Sequence, residues 1–70
     1  MGLRGLKAKR MLMGVTQQEI SKEIGIACKT YNLKENGVNY FKLSEVSKIS
    51  KYLDLSAQEI KDIFINSNEF

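Results

Sequence analysis

The chain has 70 residues, enough for one small domain, of which 43% are hydrophobic and 27% are charged. This balance excludes a disordered polar chain, and no apolar stretch is long enough for a transmembrane span. The single cysteine and the lack of a secretory signal in the N-terminal sequence predict a reducing cytosol and no disulfide framework.

The net charge of +3 is distributed unevenly along the chain. Residues 1–36 carry seven Lys/Arg and three Glu, 7 − 3 = +4, and residues 37–70 carry four Lys and five Asp/Glu, 4 − 5 = −1. A basic half is typical of a domain that binds a polyanion such as DNA. A solvated surface with a mild lysine excess gives the same balance, so charge alone leaves both interpretations open.

Helical spacing predicts a first helix over roughly residues 3–13, formed around Leu6, Arg10 and Met13. Thr16 and Glu19 form a capping box that begins a second helix, and Gly25 ends it. A third helix then closes at the turn-forming pair Asn36-Gly37. Two short helices joined in this way predict a helix-turn-helix over roughly residues 17–36. Many small helical domains contain the same two-helix layout, so the pattern alone is only moderately specific.

An apolar stripe predicts a fourth helix over roughly residues 43–53, formed by Leu43, Val46, Ile49 and Leu53. Ser56 and Glu59 repeat the capping-box spacing and begin a fifth helix, with Ile60, Ile63 and Phe64 on one side. The predicted fold class is therefore an all-α domain of five helices spanning residues 1–70, with a frayed end from about residue 66.

Two aromatic residues lie in the gap before the fourth helix. Phe41 is expected to pack in the core, whereas the sequence leaves Tyr40 equally open to a buried or an exposed position.

One face of the third helix carries side chains that can contact base edges. If Ile26 and Tyr31 face inward, the opposite side presents a stripe of Lys29, Asn32, Leu33 and Asn36, with Cys28 beside it. Lysine can donate to guanine, asparagine can pair with adenine, and leucine can contact a thymine methyl group. The polar residues could equally be solvated, and Leu33 could instead contact a second copy of the chain or a neighbouring helix.

The sequence favours a binding protein over an enzyme. There is no histidine, the first aspartate is Asp54, and Cys28 has no base partner nearby in sequence. No residues have metal-ligand spacing, and no glycine-rich loop follows a strand. We therefore predict no catalytic residue, no metal site and no small-molecule cofactor.

Several ordered motifs together resemble one family. They are LKAKR in the first helix, GVTQQEI before the second, EIGI at the turn, KENG at the end of the third, and the later stretches FKLSE and IKDIF. In this order, over roughly residues 3–65, the chain resembles the lambda-repressor-like, Cro/cI-type (XRE) helix-turn-helix family. It looks like a branch of short phage and prophage regulators from Gram-positive bacteria.

The resemblance implies a transcriptional regulator, expected to be a repressor, that reads the major groove of a double-stranded DNA operator with its third helix. It further implies a homodimer, at least on DNA, in the bacterial cytosol at the nucleoid and without a membrane partner. The DNA-binding positions it suggests are Gln17, Cys28, Lys29, Asn32, Leu33, Asn36 and Lys42. Gln18 is a further candidate because, at the start of the second helix, it could orient a phosphate. Arg10 and Glu35 match two positions that form a partly buried structural ion pair in some members of the family. Spare apolar surface on the last helix and tail suggests the dimer contacts Ile63, Phe64 and Phe70.

The chain departs from the family pattern at three places. Ala27 stands where a Ser or Thr normally caps the third helix, Val38-Asn39 replaces basic loop residues, and Leu33 replaces a polar reader. These departures put individual DNA contacts in doubt. A second interpretation also stays open, in which the same fold is a protein-interaction module such as an antitoxin or a phage accessory protein. Its contact surface would then be formed by Leu33, Val38, Tyr40 and Phe70.

Overall fold

The computed structural model describes residues 2–65, with Ile65 described by its backbone alone, and all regular structure in this range is helical. The helices are α1 (Gly2–Leu12), α2 (Gln17–Ile24), α3 (Cys28–Glu35), α4 (Leu43–Tyr52) and α5 (Ala57–Ile60), which continues as a π-helical turn over Lys61–Ile65. The predicted all-α, five-helix fold is confirmed. None of these helices is long and apolar enough to cross a membrane. The predicted frayed end from about residue 66 lies outside the described residues.

The boundaries of α2 follow from local chemistry. The Glu19 amide donates to Thr16 Oγ1 at 3.0 Å, and the Thr16 amide donates to Glu19 Oε1 at 2.9 Å, so the predicted capping box is present. Gly25 ends the helix with φ of 82°, a left-handed conformation that residues with a Cβ rarely adopt. The same reciprocal capping occurs between Ser56 and Glu59 at the start of α5.

The core is formed by apolar side chains from α1 to α4, from the residues flanking α4 and from the π-helical turn, and Ile60 of α5 packs against it. Its members are Leu3, Leu6, Ile20, Ile24, Tyr31, Phe41, Val46, Ile49, Leu53, Ile63 and Phe64. The ring of Phe41 lies between two others, 5.8 Å from Tyr31 and 5.7 Å from Phe64, the latter edge to face. The expectation that Phe41 packs in the core is confirmed, and its ring joins α3 to the C-terminal turn.

Two residues on predicted buried stripes are exposed instead. Leu43 is 85% exposed because it is the first residue of α4, where side chains lean toward the N-terminus and beyond the end of the helix. Phe41, two residues earlier, fills the core at this point. Met13 is 45% exposed because α1 ends at Leu12 and the chain then turns at Gly14, whose φ is 71°.

The expected spare apolar surface on the last helix is not found at Ile63 and Phe64. Ile63 is only 3% exposed and Phe64 only 1%, because both close the core of the same chain. In this fold the two predicted dimer contacts therefore offer almost no surface to a second copy of the chain. Phe70, the third predicted contact, lies outside the described residues.

Candidate nucleic-acid interface

The turn between α2 and α3 is fixed by backbone hydrogen bonds. The amides of Gly25 and Ile26 both donate to the carbonyl of Ser21, at 2.9 and 3.0 Å. Ser21 is buried, and Ile26 packs against the core just after the turn. These contacts set the angle at which α3 leaves α2.

The outer face of α3 is less uniformly exposed than the sequence predicted. Cys28, Lys29 and Asn36 are exposed, whereas Asn32 and Leu33 are half-buried. Asn32 is covered in part because its side chain bonds to a residue of α2, as described below. The exposed N-terminal turn of α3 therefore presents Cys28 and Lys29 first.

A buried ion pair joins α1 to α3. Arg10 Nε donates to Glu35 Oε2 at 2.9 Å, and Arg10 Nη2 donates to Glu35 Oε1 at 3.1 Å, in a two-bond fork. Arg10 Nη1 also donates to the carbonyl of Val15 at 2.8 Å, which ties down the loop before α2. The ion pair expected from the family resemblance is present, and it fixes the base of the helix-turn-helix.

Glu35 accepts two further hydrogen bonds, so that four donors saturate its carboxylate. Tyr31 Oη donates to Oε2 at 2.6 Å, and Gln17 Nε2 donates to Oε1 at 3.0 Å. Burial alone would raise the pKa of Glu35, but the hydrogen bonds from Arg10, Tyr31 and Gln17 outweigh it and hold that pKa below its usual value. The buried carboxylate is therefore ionised at neutral pH.

The pKa values of the two titratable partners of Glu35 are raised rather than lowered. Burial and the neighbouring Glu35 raise the pKa of the Tyr31 hydroxyl, so it stays protonated and donates. The hydrogen bond to Glu35 raises the pKa of Arg10. Sequence reasoning placed Tyr31 in the core but missed this bond, although residues four apart on one helix face are a signal for such a pair.

Gln17, Asn32 and Asn36 are brought together in a line of side-chain amides. Asn32 Nδ2 donates to Gln17 Oε1 at 3.1 Å, and Asn36 Nδ2 donates to Asn32 Oδ1 at 3.3 Å. Gln17, predicted to contact the DNA backbone, thus has both ends of its amide engaged within the protein. Gln18, its neighbour, is exposed at the start of α2.

A second buried ion pair, which sequence reasoning missed, joins α3 to α4. Lys34 Nζ lies 2.6 Å from Glu45 Oε1, with both side chains 8% exposed. The same oxygen accepts from the Lys42 amide at 2.9 Å and so caps the start of α4. Burial alone would raise the pKa of Glu45, but the hydrogen bonds from Lys34 and the Lys42 amide outweigh it and hold that pKa below its usual value. The spacing of Glu45 three residues after Lys42 was a usable signal for this cap.

Two exposed lysines lie at the starts of helices. The Lys42 side chain is exposed at the start of α4, and Lys29 is exposed in the first turn of α3. A shallow depression at the start of α2 is lined by Lys7, Thr16, Gln17 and Asn32, among others. Lys7 was missed in the sequence, although it lies one helical turn before Arg10 on α1.

Comparison with known protein families decides the assignment. A model of the family described as helix-turn-helix matches residues 6–60, well over half of the chain and most of α1 through α5. The chain belongs to the helix-turn-helix family. The match supports a DNA-binding regulator of the Cro/C1 type. Neither comparison with curated proteins nor comparison with solved structures gave a match.

Proposed function

We propose that this helix-turn-helix protein is a sequence-specific transcriptional regulator that reads the major groove of a DNA operator with α3. The observation that carries the proposal is the division of α3 into two faces. One face is held by the Glu35 cluster, which consists of Glu35 and its hydrogen-bond partners Arg10, Tyr31 and Gln17. On the other face, the first turn exposes Cys28 and Lys29. Side chains in the N-terminal turns of such a helix reach base edges. Repression and a phage or prophage origin belong to the proposal and rest on the family resemblance.

The remaining candidate residues divide between bases and phosphates. We assign base contacts to Lys29 and Asn32. Cys28, Leu33 and Asn36 lie beside these two residues and are assigned to the same interface. Gln18, Lys42 and the additional Lys7 are assigned to phosphates, because they are exposed near the beginnings of α2 and α4 or on α1 beside them. Phosphate contacts fix position and salt dependence but carry no sequence information.

Two lysine substitutions test this division. Lys29→Ala is expected to change which operator sequences are preferred. Lys42→Ala should weaken binding to all sequences alike and lower the slope of affinity against salt by about one. Gel-shift titrations over several operators and salt concentrations measure both effects, with Lys61→Ala, on the C-terminal turn, as a control that changes neither. Uniform loss on every sequence for Lys29→Ala would overturn its assignment to base reading.

We further propose a homodimer, at least on DNA, formed through a groove between α4 and the start of α5. The groove is lined by apolar Leu43, Val46, Leu55 and Ile60 together with Ser47 and Ser50. Lys51 and Asp54 also line it, and neither forms an ion pair within residues 2–65. In a twofold interface the same patch meets itself, so an apolar groove with one lysine and one aspartate is complementary to its own copy. Two half-sites would then lie about 34 Å apart.

A pair of leucine substitutions tests the dimer surface. Leu43→Ser should lower the fraction of dimer measured by mass in solution, with and without operator, because it removes the most exposed apolar side chain of the groove. Leu12→Ser is the matched control, since Leu12 is 82% exposed on α1, outside this groove. A monomer even on operator, or an equal effect of both substitutions, would contradict the proposal.

A second candidate function, a protein-interaction module, is favoured by the loop between α3 and α4. Val38 and Tyr40 are each 67% exposed there, although Leu33 is half-buried and Phe70 lies outside the described residues. Retention on heparin and a steep salt dependence of DNA affinity favour the regulator. Purification in a tight complex with another protein favours the module.

A further inference from the structure

A line of hydrogen-bonded side chains runs from the buried Glu35 to the surface of α3. Gln17 Nε2 donates to Glu35 Oε1 at 3.0 Å, and Asn32 Nδ2 donates to Gln17 Oε1 at 3.1 Å. Asn36 Nδ2 then donates to Asn32 Oδ1 at 3.3 Å. The line begins at a carboxylate whose side chain is 1% exposed and ends at an exposed asparagine.

The direction of every bond in this line follows from the charge at its buried end. A side-chain amide has nearly the same shape when it is turned over, but one end donates and the other accepts. An ionised carboxylate accepts only, so Gln17 must turn its NH₂ group toward Glu35 and its oxygen toward Asn32. Asn32 must then donate to that oxygen and present its own oxygen to Asn36. Turning over any one amide would set two donors or two acceptors against each other.

We infer that Glu35 and Gln17 are positioning residues that lock the amide of Asn32 in one orientation toward DNA. This inference rests on the proposed reading of bases by Asn32. A free asparagine can turn over to suit a different base edge, whereas a locked one cannot. In the locked orientation Asn32 keeps one N–H and one oxygen lone pair, which match the N7 acceptor and the N6 donor of adenine.

Gln17 can be altered without removing the ion pair. Glu35 would still accept two bonds from Arg10 and one from Tyr31. Gln17→Met keeps the length of the side chain and removes both ends of its amide. The substitution therefore releases Asn32 while the Glu35 cluster remains assembled.

The first measurement is the ratio of affinities for operators that differ at the base pair facing Asn32. For Gln17→Met this ratio should fall roughly five- to tenfold, within the range of one lost base-specific pair, while affinity for mixed DNA changes less. Gln18→Met is the matched control on the same turn of α2, since the Gln18 side chain makes no hydrogen bond within residues 2–65. It should lower affinity on all sequences alike and leave the ratio unchanged.

The second measurement separates positioning from direct contact. If Gln17 acts through Asn32, then Gln17→Met should cause no further change of the ratio in an Asn32→Ala background. In the DNA-free protein, nuclear magnetic resonance should show the Asn32 side-chain NH₂ signals shifted by Gln17→Met. The Arg10 Nε–H signal should stay in place.

Each contrary result has its own meaning. Equal losses in both backgrounds, or unshifted Asn32 signals, would overturn the positioning role. If Asn32→Ala relaxes base preference and Gln17→Met does not, only the positioning role has failed. If Asn32→Ala leaves base preference unchanged, the proposed base reading by Asn32 has failed and the positioning role with it.

Discussion

The interior of the α1–α3 half contains a charged cluster around Glu35, whereas the α4–α5 half is closed by aliphatic and aromatic side chains. In the first half, Arg10 and Glu35 are buried together with the Tyr31 hydroxyl. In the second, Ile49 and Phe64 belong to the apolar core, and the buried Glu45 of α4 pairs with Lys34 of α3. Hydrogen bonds have direction and apolar packing has little, so the two halves are specified differently.

This difference teaches what the buried charges do. A buried ion pair is weak evidence for stability, because removing two ions from water costs about as much as their attraction returns. Its hydrogen bonds, however, fix the mutual orientation of α1, α2 and α3. We therefore expect the charged cluster to set how α3 is presented, and the apolar half to hold the domain together.

The largest expected effect follows from removing one member of the charged cluster. Glu35→Ala leaves Arg10 buried without a carboxylate and should lower the free energy of unfolding by about 3–5 kcal/mol, measured by urea denaturation. The double substitution Arg10→Met with Glu35→Leu removes both charges and should regain most of this loss. Its affinity for operators should nevertheless depend less on sequence, because the line of amides has lost its buried anion.

The apolar half supplies the control. Phe64→Ala should cost about 3–5 kcal/mol through the cavity it leaves, a loss similar to that of Glu35→Ala. The folded fraction should keep the sequence preference of the natural protein. A double variant as unstable as Glu35→Ala, or a loss of preference in Phe64→Ala, would remove the distinction between the two halves.

A smaller effect is expected at the Tyr31 hydroxyl. Tyr31→Phe should lower the free energy of unfolding by about 1–2 kcal/mol, since Glu35 loses its shortest hydrogen bond. Because folding raises the pKa of Tyr31, its contribution is complete below the unfolded value of about 10 and is lost as pH rises above it. Urea midpoints measured from about pH 10 upward should fall less steeply with pH in Tyr31→Phe than in the natural protein. If the slope of the urea midpoint against alkaline pH is the same in both proteins, the Tyr31 hydroxyl is not the group whose ionisation lowers stability.

The sequence predicted those features that depend on neighbours in the chain. The bounds of α2 follow from Thr16, Glu19 and Gly25, which act within one or two turns. The Arg10–Glu35 pair was expected because the ordered motifs resemble a known family. Local signals are strong where a helix begins or ends, and the observed boundaries agree with them.

Other features depend on neighbours that meet only in the folded chain. Periodicity assigned Leu43 to an apolar face, but among the described residues its side chain is left 85% exposed. It assigned Ile63 and Phe64 to one side of the last helix without showing that the core needed both. Lys34 and Glu45 are ordinary surface residue types, and only the folded chain brings them together in a buried pair.

The smallest expected effect compares the two helices of the helix-turn-helix. The capping box begins α2, whereas Ala27, the extended residue just before α3, makes no side-chain cap bond. In Ala27→Ser the new hydroxyl can accept from the Thr30 amide, so we expect the free energy of unfolding to rise by about 1 kcal/mol. Thr16→Ala should lower it by a similar amount, since it removes the corresponding bond of α2. Urea midpoints compare the two variants directly. If Thr16→Ala destabilises and Ala27→Ser changes nothing, the first amides of α3 are already satisfied, and the missing cap is no weakness of this chain.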